Sequence, residues 1–109
     1  MDDAAALRAI VALVSPWSPE TFERLRAFVY DLSAAGRSRL DIMGLLWAAQ
    51  IQEESPLDDD TLGQLGDFCD ALLGQCLPAY CIRLAGDPEA PEAFLAAVAA
   101  DARRWQPPR

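Results

Sequence analysis

The sequence predicts an all-α fold, a single-domain compact bundle of four to five helices with short loops. Three observations favour this class. Apolar residues recur at spacings of three and four along most of the chain. Serine, aspartate and proline stand where those periodic segments begin, and no segment combines β-branched residues with strict alternation. With 109 residues, 52% of them hydrophobic, the chain can bury one core. We therefore expect one domain over residues 1–109, with a flexible tail at 106–109.

The first two helices are bounded by prolines and a glycine. The first helix is predicted over Asp3–Val14 and should stop at Ser15-Pro16, because the residue before a proline disfavours helical backbone. The second should begin with Ser18 as its N-cap and Pro19 in the first helical position. Gly36 is a suitable residue for its C-terminal end.

The third and fourth helices both begin at a serine in the sequence. Ser38 and Asp41 have the spacing of a capping box, and the apolar body that follows predicts a central position in the bundle. The fourth helix is expected to start with Ser55 as its cap and Pro56 next, and to end or kink at Pro78. Its predicted inward stripe consists of Leu62, Leu65, Cys69, Leu72, Leu73 and Cys76.

The last helix is predicted to start near Asp87-Pro88 or at Pro91 and to run to Trp105. Phe94 and Val98 recur along it at helical spacing. The pattern leaves open whether residues 78–86 are helical or irregular.

The charges of this chain are distributed unevenly. Residues 1–39 contain five acids and five arginines, and residues 83–109 contain four of each. Residues 40–82 contain the other eight acids and no basic residue, so the net charge of −8 resides on the predicted third and fourth helices. Such a surface favours a basic protein partner and disfavours nucleic acid, whose phosphates it repels.

Part of this negative charge has a structural explanation and part has none. Aspartates in the first turn of the fourth helix are stabilised by the helix dipole. Glu53 and Glu54 instead follow the C-terminal end of the third helix, where an anion is unfavourable. On the fourth helix, acids and the glycines at 63, 66 and 74 are predicted to share the outer face. The alternative is that these glycines face another helix.

We therefore predict a non-enzymatic protein that docks onto a basic protein, a toxin or an enzyme, and neutralises it, as bacterial immunity proteins and antitoxins do. The predicted partner-binding residues are Glu53, Glu54, Asp58, Asp59, Asp60, Gly63, Asp67 and Asp70.

The composition gives little support for a catalytic site or a metal site. Without histidine the usual general base near neutral pH is missing, and without lysine there is no Schiff-base residue. Asp58 begins a faint calcium-loop pattern, but position 12 of that loop is Cys69 rather than glutamate. No catalytic residue, metal or cofactor is expected. Cys69, Cys76 and Cys81 are expected to be small buried residues, with a redox-active thiol as the alternative.

The expected location is the cytoplasm, without membrane association. No apolar segment reaches the ~18 residues of a membrane span. The first residues are acidic, whereas a signal peptide begins with basic ones.

A further pattern concerns the central third of the chain. The third and fourth helices contain RLDIMGLLWAAQIQEESPLDDD and LGDFCDALL, a stretch that resembles the second and third helices of acyl and peptidyl carrier proteins. Arg39 stands where that family carries its modified serine, and Ser38 lies one position away. The resemblance implies an alternative function, a carrier or accessory subunit modified with pantetheine on Ser38. A third alternative is a homo-oligomeric bundle with Trp17, Trp47 or Trp105 at the contact.

Overall fold

The computed structural model describes residues 1–54 and 56–107, and these residues form helices and connecting segments without any strand. The prediction of an all-α bundle is confirmed. The Cα radius of gyration is 13.3 Å, close to the ~13 Å expected of a compact domain of this length. In the described residues the helices are α1 (Asp3–Val14), α2 (Thr21–Ala34), α3 (Arg39–Ile51), α4 (Asp59–Leu72) and α5 (Pro91–Arg104), with a 3-10 turn at Pro78–Tyr80.

Helix α3 lies in the centre of the bundle and packs against α1, α2 and α4, as its apolar sequence predicts. The capping box at its start is also confirmed. The Oγ atom of Ser38 accepts a hydrogen bond from the backbone N–H of Asp41 at 3.1 Å, and the carboxylate of Asp41 accepts one from the N–H of Ser38 at 3.4 Å. The buried apolar residues of α3 are Ile42, Met43, Leu45, Leu46 and Ala49.

Helix α1 has the predicted bounds, whereas α2 begins later than predicted. Ser18 is the first residue of a turn, because the N–H of Thr21 donates to the Ser18 carbonyl at 3.0 Å. Pro19 suits the second position of such a turn as well as the first position of a helix, so the sequence signal was ambiguous. The end of α2 agrees with prediction: Gly36 has φ of 108° and follows the last turn.

Helix α4 begins at Asp59, so the predicted start at Ser55-Pro56 is wrong; Ser55 itself lies outside the described residues. The N-cap is Asp58, whose Oδ1 accepts a hydrogen bond from the N–H of Thr61 at 2.7 Å. Aspartate caps a helix as well as serine does. Leu57 precedes this cap and is buried, so the later start places an apolar side chain in the core.

The end of α4 also differs from prediction, since the helix stops at Leu72 and not at Pro78. Gly74 has φ of 75°, and the N–H of Gln75 donates to the Asp70 carbonyl at 2.8 Å. A Cβ atom at Gly74 would lie 2.7 Å from Cγ1 of Val98 on α5. Gly74 therefore faces α5, and its predicted place on the outer face of α4 is wrong.

Helix α5 starts at Pro91, the second of the two predicted starts, and Trp105 follows its last residue. Phe94 and Val98 are buried. The segment between α4 and α5 contains the 3-10 turn and is otherwise irregular. Beyond α5, residues 106 and 107 are exposed, and the rest of the predicted tail lies outside the described residues. No helix in the described parts of the chain has the length and apolar character needed to cross a membrane.

Candidate protein-binding surface

The outer face of α4 is a continuous acidic strip made by Asp60, Gly63, Asp67 and Asp70. All four residues are exposed, and their spacing of three, four and three places them on one side of the helix. The strip is about 15 Å long, since each residue of a helix adds about 1.5 Å. The opposite side of α4 is buried in the core through Leu65, Phe68 and Leu72. This arrangement confirms the predicted division of α4 into an acidic and an apolar side.

The other predicted acids lie on the turn between α3 and α4 and are exposed as well. Glu53 and Glu54 follow the C-terminal end of α3, and Asp59 lies in the first turn of α4. Asp58 has a structural role as the N-cap. Hydrogen bonds from the N–H and the hydroxyl of Thr61 lower the pKa of the Asp58 carboxyl. We call Glu53, Glu54, Asp58 and Asp59 the turn acids.

Within the described part of the chain, none of the acids between residues 40 and 82 forms an ion pair. The arginines that do form pairs contact acids in other regions: Arg26 pairs with Glu23, Arg37 with Asp3, Arg39 with Asp87 and Asp101, and Arg104 with Asp101. The acidic strip and the turn acids therefore present their charge to solvent without a neutralising group among the described residues.

Two glycines of α4 have no packing role within the described structure. A Cβ atom added at Gly63 or Gly66 would meet nothing within 4 Å. Glycine in a helix interior costs about 1 kcal/mol relative to alanine, so these positions weaken the helix without improving its packing. Because neither position has a side chain, the backbone of α4 is uncovered beside Asp67, and we call this the low surface of α4.

A groove of about 480 Å³ adjoins the acidic strip, and Asp67 and Tyr80 are among the residues that line it. Tyr80 lies in a loop whose apolar side chains are strongly exposed: Leu77 is 68% and Tyr80 is 67% accessible. Leu77 and Tyr80 are not among the partner-binding residues predicted from the sequence. The signal for them is the segment LPAY, which has no charged or amide side chain although it lies in a connecting loop.

The three cysteines have different surroundings. Cys69 is buried, as predicted, and burial together with the charge of Asp70 raises the pKa of its thiol to about 12. Cys76 and Cys81 are only partly buried, so the prediction of burial is wrong for this pair. The reason is that α4 ends before Cys76, which therefore does not continue the inward stripe. Burial, the hydrogen bond with Cys81 and nearby negative charge raise the pKa of the Cys76 thiol.

In the residues that the structure describes, no three side chains of the metal-binding types are grouped as metal ligands would be. Arg39, at the position where the carrier-protein resemblance expects a modified serine, is buried with 4% of its surface exposed. Ser38 is exposed at the start of α3.

The chain matches no known protein-family model, and no curated protein or solved structure shows significant similarity to it.

Proposed function

We propose that this protein is a non-enzymatic cytoplasmic binder that docks its acidic strip and turn acids onto a basic protein. By covering the basic surface of that partner it neutralises it, in the manner of an immunity protein or an antitoxin. The observation that supports the proposal is the exposed run of acids on and before α4, which has no ion-pair partner among the described residues.

Carboxylates arranged in this way suit arginine and lysine side chains. An arginine guanidinium forms two parallel hydrogen bonds with one carboxylate, and the low surface at Gly63 allows such a side chain to lie close to α4. A set of like charges also accelerates encounter with an oppositely charged protein, in a manner that salt suppresses. The binding that we propose is therefore strongly salt-dependent.

The exposed loop beside the strip supplies the apolar part of the same surface. Protein interfaces combine an apolar, aromatic-rich centre with a polar rim. Tyr80 lines the same groove as Asp67, and Leu77 is exposed three residues before it in the same loop. We assign Tyr80 and Leu77 the centre of the contact and assign the acids its rim.

A matched pair of charge variants tests this proposal. The strip variant carries Glu53→Gln, Glu54→Gln, Asp67→Asn and Asp70→Asn. The control variant carries Asp2→Asn, Asp31→Asn, Glu89→Gln and Glu92→Gln, four exposed acids outside residues 40–82. Each variant loses four negative charges. A difference in binding between the two variants therefore reflects where the removed charges lie and not the net charge of the protein.

The parent and both variants are immobilised and exposed to an extract of the native host at low and at high salt. We expect the parent and the control variant to retain the same basic protein at low salt and to release it at high salt, and the strip variant not to retain it. Retention by all three proteins, or by none of them, contradicts the proposal.

A carrier-like role is the second candidate, because Ser38 is exposed and its Oγ atom lies at the N-terminus of α3. Intact mass of the protein purified from its native host is the direct test. A pantetheine adduct on Ser38 would replace the binder proposal, and an unmodified chain counts against the carrier role.

A further inference from the structure

Cys76 and Cys81 bring two thiols into contact on one side of the molecule. Their Sγ atoms are 3.7 Å apart, and both side chains line the groove beside α4. Each cysteine is only partly buried, so small molecules in solution reach this site. The same groove is lined by Tyr80, so the two thiols lie beside the proposed docking surface, but that proposal assigns them no role.

The main chain holds these two cysteines together. Next to Cys76, the N–H of Gln75 donates to the Asp70 carbonyl at 2.8 Å; next to Cys81, the N–H of Ile82 donates to the Ala71 carbonyl at 3.1 Å. Both ends of the loop are therefore fixed to the last turn of α4.

Within the loop, the Tyr80 N–H donates to the Leu77 carbonyl at 2.9 Å and closes the 3-10 turn. Backbone hydrogen bonds on both sides of the pair and between them therefore hold the main chain of the two cysteines close together.

We propose that Cys76 and Cys81 form a reversible intramolecular disulfide by exchange with low-molecular-weight disulfides such as oxidised glutathione. A disulfide requires a sulfur–sulfur distance of about 2.05 Å. The two Sγ atoms must therefore approach by about 1.7 Å more, which rotation of two partly exposed side chains supplies. The inference is independent of the proposed docking function.

The exchange proceeds in two steps and is balanced. The thiolate of one cysteine attacks a sulfur of oxidised glutathione, which breaks the glutathione disulfide, forms a mixed disulfide and releases one glutathione thiolate. The second cysteine thiolate attacks the protein sulfur of the mixed disulfide and releases the second glutathione. The two cysteines lose two electrons and two protons in total, and two molecules of reduced glutathione carry them away.

Cys69 provides an internal comparison within the same chain. It is 7% exposed, and the amide of Gln50 contacts its sulfur at 3.5 Å. A buried thiol is a poor nucleophile because it is rarely ionised. We therefore expect the exchange to leave Cys69 as a free thiol.

The test is incubation of the folded protein with oxidised glutathione, followed by denaturation in excess maleimide and mass analysis. Reduced protein takes up three adducts, one for each cysteine. After incubation we expect one adduct, at Cys69, and a Cys76–Cys81 cross-linked peptide after digestion. Cys69→Ser should form the same cross-link. Cys76→Ser and Cys81→Ser should each retain one glutathione instead, and reduced glutathione should restore the parent to three adducts.

Three results would overturn the inference. One is parent protein that carries glutathione on Cys76 and Cys81 without closing the disulfide. Another is a cross-link that includes Cys69. The third is parent protein that still takes up three adducts after prolonged incubation. Circular dichroism of each variant checks that the helices are intact, so that loss of the cross-link is assigned to the missing thiol.

Discussion

Arg39 and Asp87 form a two-point ion pair: Nη1 of Arg39 donates to Oδ1 of Asp87 at 3.1 Å, and Nη2 donates to Oδ2 at 2.8 Å. The Arg39 side chain is 3% exposed and that of Asp87 is 13% exposed. The same guanidinium donates to the carbonyls of Leu72 and Ile82, each at 2.9 Å. One side chain of α3 therefore joins the end of α4 to the segment that leads to α5.

The first prediction concerns the stability that this pair provides. Asp87→Asn should lower the free energy of unfolding by about 3 kcal/mol, because it leaves a buried guanidinium without its principal counter-charge. Urea unfolding followed by circular dichroism measures the change. Glu23→Gln is the control, since it removes an exposed partner of Arg26 and should cost less than about 1 kcal/mol. Equal effects of the two substitutions would contradict the role given to Arg39.

The second prediction concerns pH. Burial raises the pKa of Asp87, but hydrogen bonds from Arg39 and from the Leu84 N–H, together with the charge of Arg39, outweigh burial and hold the pKa below its ordinary value. A lowered folded-state pKa stabilises the protein above the unfolded pKa of about 3.9 and loses this effect as the pH falls through the folded pKa.

The difference in unfolding free energy between the parent and Asp87→Asn should therefore be largest near neutral pH and should shrink below about pH 4. Urea titrations of both proteins across this range give the difference directly. A difference that stays constant or grows on acidification would show that the Asp87 carboxylate is not the stabilising group.

The third prediction separates capping from charge at Asp58. Asp58→Ala should cost about 1 kcal/mol of stability, because the N–H of Thr61 loses its acceptor. Asp58→Ser keeps a capping oxygen and should retain most of that stability while removing the charge. Thermal unfolding of both variants distinguishes them. If serine destabilises as much as alanine, the contribution of Asp58 is its charge at the helix dipole and not the cap.

The fourth prediction contrasts two glycines of the same region. Gly63→Ala should raise the stability by up to about 1 kcal/mol, since the position is helical and open. Gly74→Ala should lower the stability by about 1–2 kcal/mol, because alanine is strained at the positive φ of this position. The close contact of the new Cβ atom with Val98 adds to this cost. Urea unfolding of both variants checks the signs. A stabilised Gly74→Ala variant would contradict the close approach of α5.

Gly63→Ala also bears on function. If the low surface of the acidic strip admits a partner side chain, this substitution should weaken partner binding although it stabilises the fold. Binding that is unchanged or stronger in the stabilised variant would show that Gly63 does not contribute to the contact.

Local signals in the sequence predicted most of the helices, because capping residues act over three or four positions. The capping box at Ser38, the end of α1 at Val14 and the end of α2 before Gly36 are of this kind. The start of α4 was misplaced because Ser55 and Asp58 are both suitable caps three residues apart; the helix starts after Asp58, and Leu57 is buried.

Contacts between distant residues were not predictable in this way. Arg39 bonds to groups 33, 43 and 48 residues away, and nothing in its neighbouring sequence indicates burial. Phe68 was missing from the predicted inward stripe of α4, yet it is fully buried and packs edge-on against Phe22. For the candidate site, the acids were predictable because charge and helical spacing are local properties. The exposed apolar loop at Leu77 and the Cys76–Cys81 contact depend on where α4 ends.

The salt dependence of affinity for the captured basic protein tests whether the acidic strip is the binding surface. The dissociation constants of the parent, the strip variant and the control variant are measured over a series of salt concentrations. We predict that the strip variant binds at least about tenfold more weakly at low salt, a loss of about 1.4 kcal/mol, and has a flatter salt dependence, while the control variant follows the parent. Equal affinities and equal salt dependences in the two variants would contradict the assignment of the acidic strip as the binding surface.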